Sequence, residues 1–221
     1  MRKQKFYIAT AVYTLAAVVF FVLPASVKNI WICVPAWLLT LFCAMGGDKP
    51  CRIAAIALTA SAIGDIFGGL GTLLPQICSF AIAQIVYAAL FCRYARFNVR
   101  RAPLLIIPLL TAVVVATNVL ANVEGVFRIA ISIYMLVILA MSCSAMFVCG
   151  KGWWLIAMGT VIFVASDSII AWNLFAEPIP NALFWIMSSY YVAQGLLGLS
   201  ILSGVLSDLK PIKTDNVSYK V

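Results

Sequence analysis

Seven acidic side chains occur among 221 residues, and two of them, Asp65 and Asp167, lie deep inside long apolar runs. An ionised carboxylate at the centre of a membrane helix costs at least about 2.5 kcal/mol, so such a residue faces a protected interior and is a functional candidate by default. Two carboxyls sharing one site cannot both ionise easily, and one keeps its proton near neutral pH. That supplies an acid and a base in one place. The pair suits cleavage of an acid-labile bond in an amphiphile, where protonation and water activation fall to separate residues. It suits proton-coupled transport equally well. Asp167, flanked by Ser166 and Ser168, has the more local hydrogen-bond donors and reads as the ionised partner. Gly64 and Ile66 leave Asp65 in a drier setting, suited to giving up a proton.

Polar residues at helical spacing surround the two candidates. Ser61 lies one turn before Asp65, and Gly64 and Gly68 share a face that permits close backbone approach. Gln84 and Tyr87 are i, i+3; Tyr190 and Gln194 are i, i+4, with Tyr191 beside them. Asn118 and Asn173 fall toward the same half of the membrane as the aspartates. Each alone could be a bond between helices, but together they form the candidate substrate-binding set around catalytic Asp65 and Asp167.

The elements that must hold these residues follow from composition. The chain is 65% hydrophobic and 10% charged, against about 25% charged for a soluble domain, which excludes a water-soluble fold. Cutting at charged, Gly-rich and Pro-rich breaks gives eight spans near 6–23, 29–45, 52–68, 73–92, 102–121, 126–148, 152–174 and 182–206. Each approaches the ~20 residues that cross the hydrocarbon. The expected fold is a single all-α bundle of eight transmembrane helices over residues 1–206, with a polar cytoplasmic tail over 207–221. The run after Arg2, Lys3 and Lys5 is long for a signal peptide and reads as an uncleaved first span.

Of the 15 Lys and Arg residues, 13 fall on one side of this alternation and two, Lys28 and Arg128, on the other. Short cytoplasmic loops carry such an excess, so both termini are expected in the cytoplasm, in a plasma or inner membrane. The basic residues sit at the ends of apolar runs and form no nucleic-acid stripe. Both aspartates lie on outward-running spans, about 20 and 24 Å from the cytoplasmic ends at 1.5 Å per residue. Ala62-Ile63-Gly64-Asp65 is answered by Val164-Ala165-Ser166-Asp167, and Ala83-Gln84 by Ala193-Gln194, a pattern compatible with two four-span repeats. The seven cysteines read as small buried hydrophobes. With no histidine, no zinc or haem site and no cofactor is expected.

The segments Ser61-Ala62-Ile63-Gly64-Asp65, Phe163-Val164-Ala165-Ser166-Asp167-Ser168-Ile169-Ile170-Ala171-Trp172-Asn173-Leu174-Phe175 and Tyr190-Tyr191-Val192-Ala193-Gln194 resemble the YhhN family, which includes the animal lysoplasmalogenases. The resemblance implies an eight-span hydrolase that cleaves the vinyl ether bond of a lysoplasmalogen or related amphiphile, without a cofactor and with Asp65 and Asp167 as its key acids. The chain departs from the pattern of many family members at Val34-Pro35, where they carry Lys-Pro, and at Gln84, where they carry His. A proton-coupled transporter or a non-catalytic binder of a small amphiphile is the alternative that the residues leave open.

Overall fold

Apolar runs become helices because a backbone in hydrocarbon has no water to bond with and must satisfy its N–H and C=O groups within its own segment. The computed structural model describes residues 2–207 and 209–211. Over these residues the α-helices are α1 (Arg2–Val22), α2 (Ala25–Trp31), α3 (Val34–Ala44), α4 (Lys49–Gly69), α5 (Leu73–Cys92), α6 (Ile106–Val119), α7 (Gly125–Met146), α8 (Trp153–Phe175) and α9 (Ala182–Ser203). Short 3₁₀ segments, Val99–Leu105 and Leu120–Asn122, lengthen α6 at both ends, while α2 and α3 together make one crossing. Eight segments are therefore long and apolar enough to span a membrane. The protein is an all-α integral membrane protein. The polar tail expected from residue 207 lies mostly outside the described residues.

The second span is not the continuous helix that the apolar run suggested. It breaks at Ile32 and Cys33, two residues before Pro35, which has no N–H for the helical ladder and whose ring crowds the preceding turn. The break leaves a carbonyl to be satisfied, and the Tyr191 hydroxyl of α9 donates to Ile32 O at 3.0 Å. Another tie crosses nearby: Tyr13 of α1 donates to Tyr191 O at 2.5 Å.

Helix α4 packs between α3 and α5, and α9 lies against α1, α3, α4 and α8; α7 bridges α5 and α8, and α6 lies outside against α7 and α8. The α4–α5 pairing corresponds to α8–α9 under the suspected repeat, and α5–α7 to α9–α3. The outer spans differ, since α1 packs on α9 whereas α6 packs on α8. Small residues let α4 approach its neighbours. A methyl group on Gly64 would meet the Phe80 ring at 2.9 Å, and one on Gly68 would meet the Gln76 amide at 2.8 Å, so these glycines are where α5 closes onto α4. Large side chains such as Leu15, Ile30 and Leu136 point outward, as lipid-facing positions require.

The alternation puts most of the basic residues on one face of the bundle. There Asp48 caps α4, accepting from Cys51 N at 2.8 Å, and pairs with Arg2 at 2.9 Å. Arg2 also donates to Leu202 O at 3.0 Å, linking the two ends of the described chain. Arg101 donates to Val148 O at 2.7 Å and lies 3.8 Å over the Trp153 ring, holding the turn between α7 and α8.

Candidate active site

Asp65 sits on the most enclosed helix, α4, and is only 3% exposed. Its carboxyl accepts a hydrogen bond from Tyr190 at 2.8 Å, and the Gln194 amide in turn donates to the Tyr190 oxygen at 3.2 Å. Tyr190 and Gln194 do share a face of α9, as their i, i+4 spacing requires. The rings of Phe80, Phe163 and Tyr190 pack edge to face, with centroids 5.6 to 6.2 Å apart. This aromatic layer borders Asp65, and Phe80 reaches it because position 64 carries no side chain.

Asp167, on α8, has a different setting. It is half-buried and accepts a short hydrogen bond from the Tyr134 hydroxyl on α7. It also lines a cavity of about 90 Å³ between α5, α6, α7 and α8. The walls are almost wholly apolar, from Leu73 and Phe175 near the less basic face to Val164 and Ile138 deeper in, with Gln76 and Ser168 as further polar members. The two carboxyl sites share one neighbour, Phe80. Asp65 is nevertheless not part of this cavity's lining. Phe80 lines it on one side and packs against Gly64 and Tyr190 on the other. The serines beside Asp167 are not its donors: Ser166 bonds Ile186 O at 3.0 Å and Ser168 bonds Val164 O at 2.7 Å.

The remaining candidates divide. Ser61, Gln84 and Tyr87 are completely buried, with no hydrogen-bond partner for their side chains among the described residues, and Gln194 Oε1 is in the same position. Tyr191 lines a second groove of about 500 Å³ between α1 and α9, which contains neither aspartate. Asn118 is on the exposed side of α6, bonded to Val114 O of its own helix at 2.8 Å. Asn173 caps the loop after α8, accepting from Ile179 N at 2.9 Å. Tyr134 escaped the sequence reading. Its available signal was a polar-tipped aromatic at about the depth of Asp167 on the preceding, oppositely directed span.

Residues 27–201 match the YhhN family. The chain belongs to that family. Among YhhN-related proteins, lysoplasmalogenase TMEM86B of Homo sapiens is 31% identical over 66% of this chain, and the chain spans 62% of that protein's length. Lysoplasmalogenase TMEM86A of Bos taurus is 31% identical over 84% of this chain and 85% of its own length. TMEM86B of Sus scrofa, also named a lysoplasmalogenase, is 29% identical over 80% and 76%. No solved structure matches the chain. Among the described residues of this YhhN protein, no three His, Cys, Asp or Glu side chains cluster closely enough to hold a metal ion. Its chemical groups are two carboxyls, each hydrogen-bonded by a phenol, one in an apolar cleft and one in a closed polar core.

Proposed function

We propose that the protein is a lysoplasmalogenase-like hydrolase, cleaving the vinyl ether bond of a lysoplasmalogen to a fatty aldehyde and a glycerophospho head group. The observation that carries this reading is a carboxyl, Asp167, inside an apolar cleft, with a second carboxyl, Asp65, behind the Phe80 ring that lines it. The relatives' names support the substrate class.

The reaction needs only an acid, a base and water. A proton adds to the vinyl carbon remote from oxygen, leaving an oxocarbenium ion at the carbon that bears the oxygen. Water adds there and loses a proton. The hemiacetal then collapses, its hydroxyl proton leaving and the glycerol oxygen gaining one. One water is consumed and no electrons are transferred.

Access favours one division of roles. Asp167 faces the cleft and donates the first proton; Asp65, on the polar side of the aromatic layer, accepts the proton lost by water. The flanking residues suggested the opposite division; of that reading, the enclosed setting of Asp65 holds, whereas Ser166 and Ser168 bond backbone carbonyls and Tyr134 is the donor to Asp167. Substrate displaces the Phe80 ring, which otherwise separates the two carboxyls, and a proton passing back from Asp65 to Asp167 resets the site. The basic face is the cytoplasmic one, with both termini on it.

Aldehyde release from a vinyl ether lysolipid by purified protein in detergent, without any gradient, tests the reading. Binding or movement of the lipid with no aldehyde formed would replace it with the carrier reading. Single cysteines introduced at residues 96 and 177 should label from opposite sides of the membrane; labelling from the same side would overturn the topology.

A further inference from the structure

Beneath the aromatic layer lies a second, polar one. Helices α4 and α8 run away from the basic face, and α5 and α9 run back toward it. One turn nearer that face from Gly64, Phe80, Phe163 and Tyr190 stand Ser61, Gln84, Thr160 and Gln194. Because i, i+3 and i, i+4 residues share a helix face, these four point into the same interior that the aromatic rings occupy above them. All are at most 1% exposed. Ser61 Oγ, both polar atoms of Gln84 and Gln194 Oε1 have no hydrogen-bond partner among the described residues, and neither has the hydroxyl of Tyr87, one turn from Gln84.

A buried polar group without a partner costs roughly 1–3 kcal/mol by mutational measures, so a cluster of five such atoms calls for a ligand. The chemistry of the lining selects it. The layer contains amides and hydroxyls but no cation, so it offers nothing to balance a phosphodiester. An alkyl chain would leave every one of these groups unsatisfied. Water, which both donates and accepts and makes about three hydrogen bonds per buried molecule, matches these groups; about two molecules would serve the five atoms. The demand for water exists nearby: hydrolysis consumes one molecule per turnover, and the cleft at Asp167 is walled by apolar side chains.

We propose that the layer of Ser61, Gln84, Tyr87 and Gln194 is a hydration site that supplies the hydrolytic water to Asp65 from the basic side of the bundle, by way of Tyr190. Its role in supply rests on the hydrolase reading; its hydration does not. Gln194 and Tyr190 already form the hydrogen-bonded step between the layer and the carboxyl. Apolar substrate and water therefore approach the reacting carbon from opposite sides of the Phe80, Phe163 and Tyr190 rings.

The test is X-ray hydroxyl-radical footprinting of the full chain in detergent, read by mass spectrometry, together with steady-state kinetics on a vinyl ether lysolipid. Tyr87 should be oxidised well above Phe20, a buried ring packed edge-on against Phe21 and Tyr191, although both are shielded from bulk solvent. In Gln84→Leu and Gln194→Leu, oxidation of Tyr87 should drop toward the Phe20 rate, and kcat should fall by at least about tenfold with KM little changed, as for a step after binding. Ser61→Ala, the mildest change, should move both readouts in the same direction and covers the case in which a leucine variant fails to fold. Oxidation of Tyr87 no faster than Phe20 in the wild type would overturn the hydration site. Wild-type kcat in a folded leucine variant would overturn its role in supply. Oxidised Tyr87 with no aldehyde release from the wild type would keep the hydration site and overturn both the hydrolase reading and the role that depends on it.

Discussion

The two aspartates are alike in sequence context and in depth, yet the molecule treats them oppositely. Asp65 is enclosed among small residues, hydrogen-bonded to Tyr190 and screened by the Phe80 ring; Asp167 opens into an apolar cleft beside Tyr134. What differs is the residue one position before. Gly64 lets an aromatic side chain close over α4, whereas Ser166 turns its hydroxyl to Ile186 O and ties α8 to α9. A repeated motif can therefore yield two unlike sites when a single neighbour decides what packs against it.

The largest effect expected is loss of hydrolysis when either acid is removed. Asp65→Asn and Asp167→Asn should each lower aldehyde release by at least about a hundredfold, the scale of general acid-base contributions. The double variant should be little worse than either single one, since residues acting as a unit are strongly non-additive. A wild-type rate in one of the single variants would reduce the pair to one working acid.

Chemical modification tests the contrast between open and closed directly. Dicyclohexylcarbodiimide, a lipid-soluble reagent for protonated carboxyls, should label Asp167 well before Asp65, with labelled peptides followed by mass spectrometry. In Phe80→Ala the two should react at similar rates, because the ring between cleft and core is gone. Equal labelling in the wild type would remove the distinction on which the assignment of roles rests.

The two phenols sharpen the comparison further. Tyr134→Phe, in the half-buried site, should lower kcat by about tenfold with little change in melting temperature. Tyr190→Phe leaves both Asp65 and Gln194 without that partner in a closed core and should cost about 1–3 kcal/mol of stability as well, measured as a lower unfolding temperature in detergent. If both variants lost stability equally, the cleft at Asp167 would be as closed as the core at Asp65.

The smallest effect lies outside the membrane. Burial pushes the Asp48 carboxyl up, but hydrogen bonds from Ser207 and the Cys51 amide, with the Arg2 charge, outweigh it and hold the group below its ordinary value of 3.8. Its stabilising contribution is thus complete above that value and is lost as pH falls through the lower folded-state one. Asp48→Ala should cost about 0.5–2 kcal/mol at neutral pH as an N-cap loss, and the difference from wild type should shrink in acid. A difference independent of pH would show that ionisation of Asp48 contributes nothing.

The spans and the aspartates were legible because hydrophobic length and intramembrane charge are properties of the sequence itself. The Tyr190 and Gln194 pairing followed from helical spacing. Helix rotation was hidden: these helices are apolar around most of their circumference, so no polar stripe marks the inner face. Asn118 and Gln84 look equivalent in sequence, yet one lies on the exposed side of α6 and the other is fully buried in α5. Tyr134 was missed for the same reason, since its value depends on facing α8. The interruption of the second span had a visible cause in Pro35, but the hydroxyl that compensates for it lies 159 positions away in the chain.

That compensation has a bearing on how the protein is made. A nascent chain enters the membrane from its N-terminus, so the Ile32 carbonyl, left free between α2 and α3, lacks its eventual partner throughout synthesis of the third to seventh spans. The Tyr13 hydroxyl waits for the same stretch of chain, and Arg2 for the Leu202 carbonyl. The first two crossings are finished only when the last one arrives. A ribosome that stalls before residue 191 thus releases a product whose early crossings are complete in sequence but unfinished in bonding, with the defect lying far from the site of truncation.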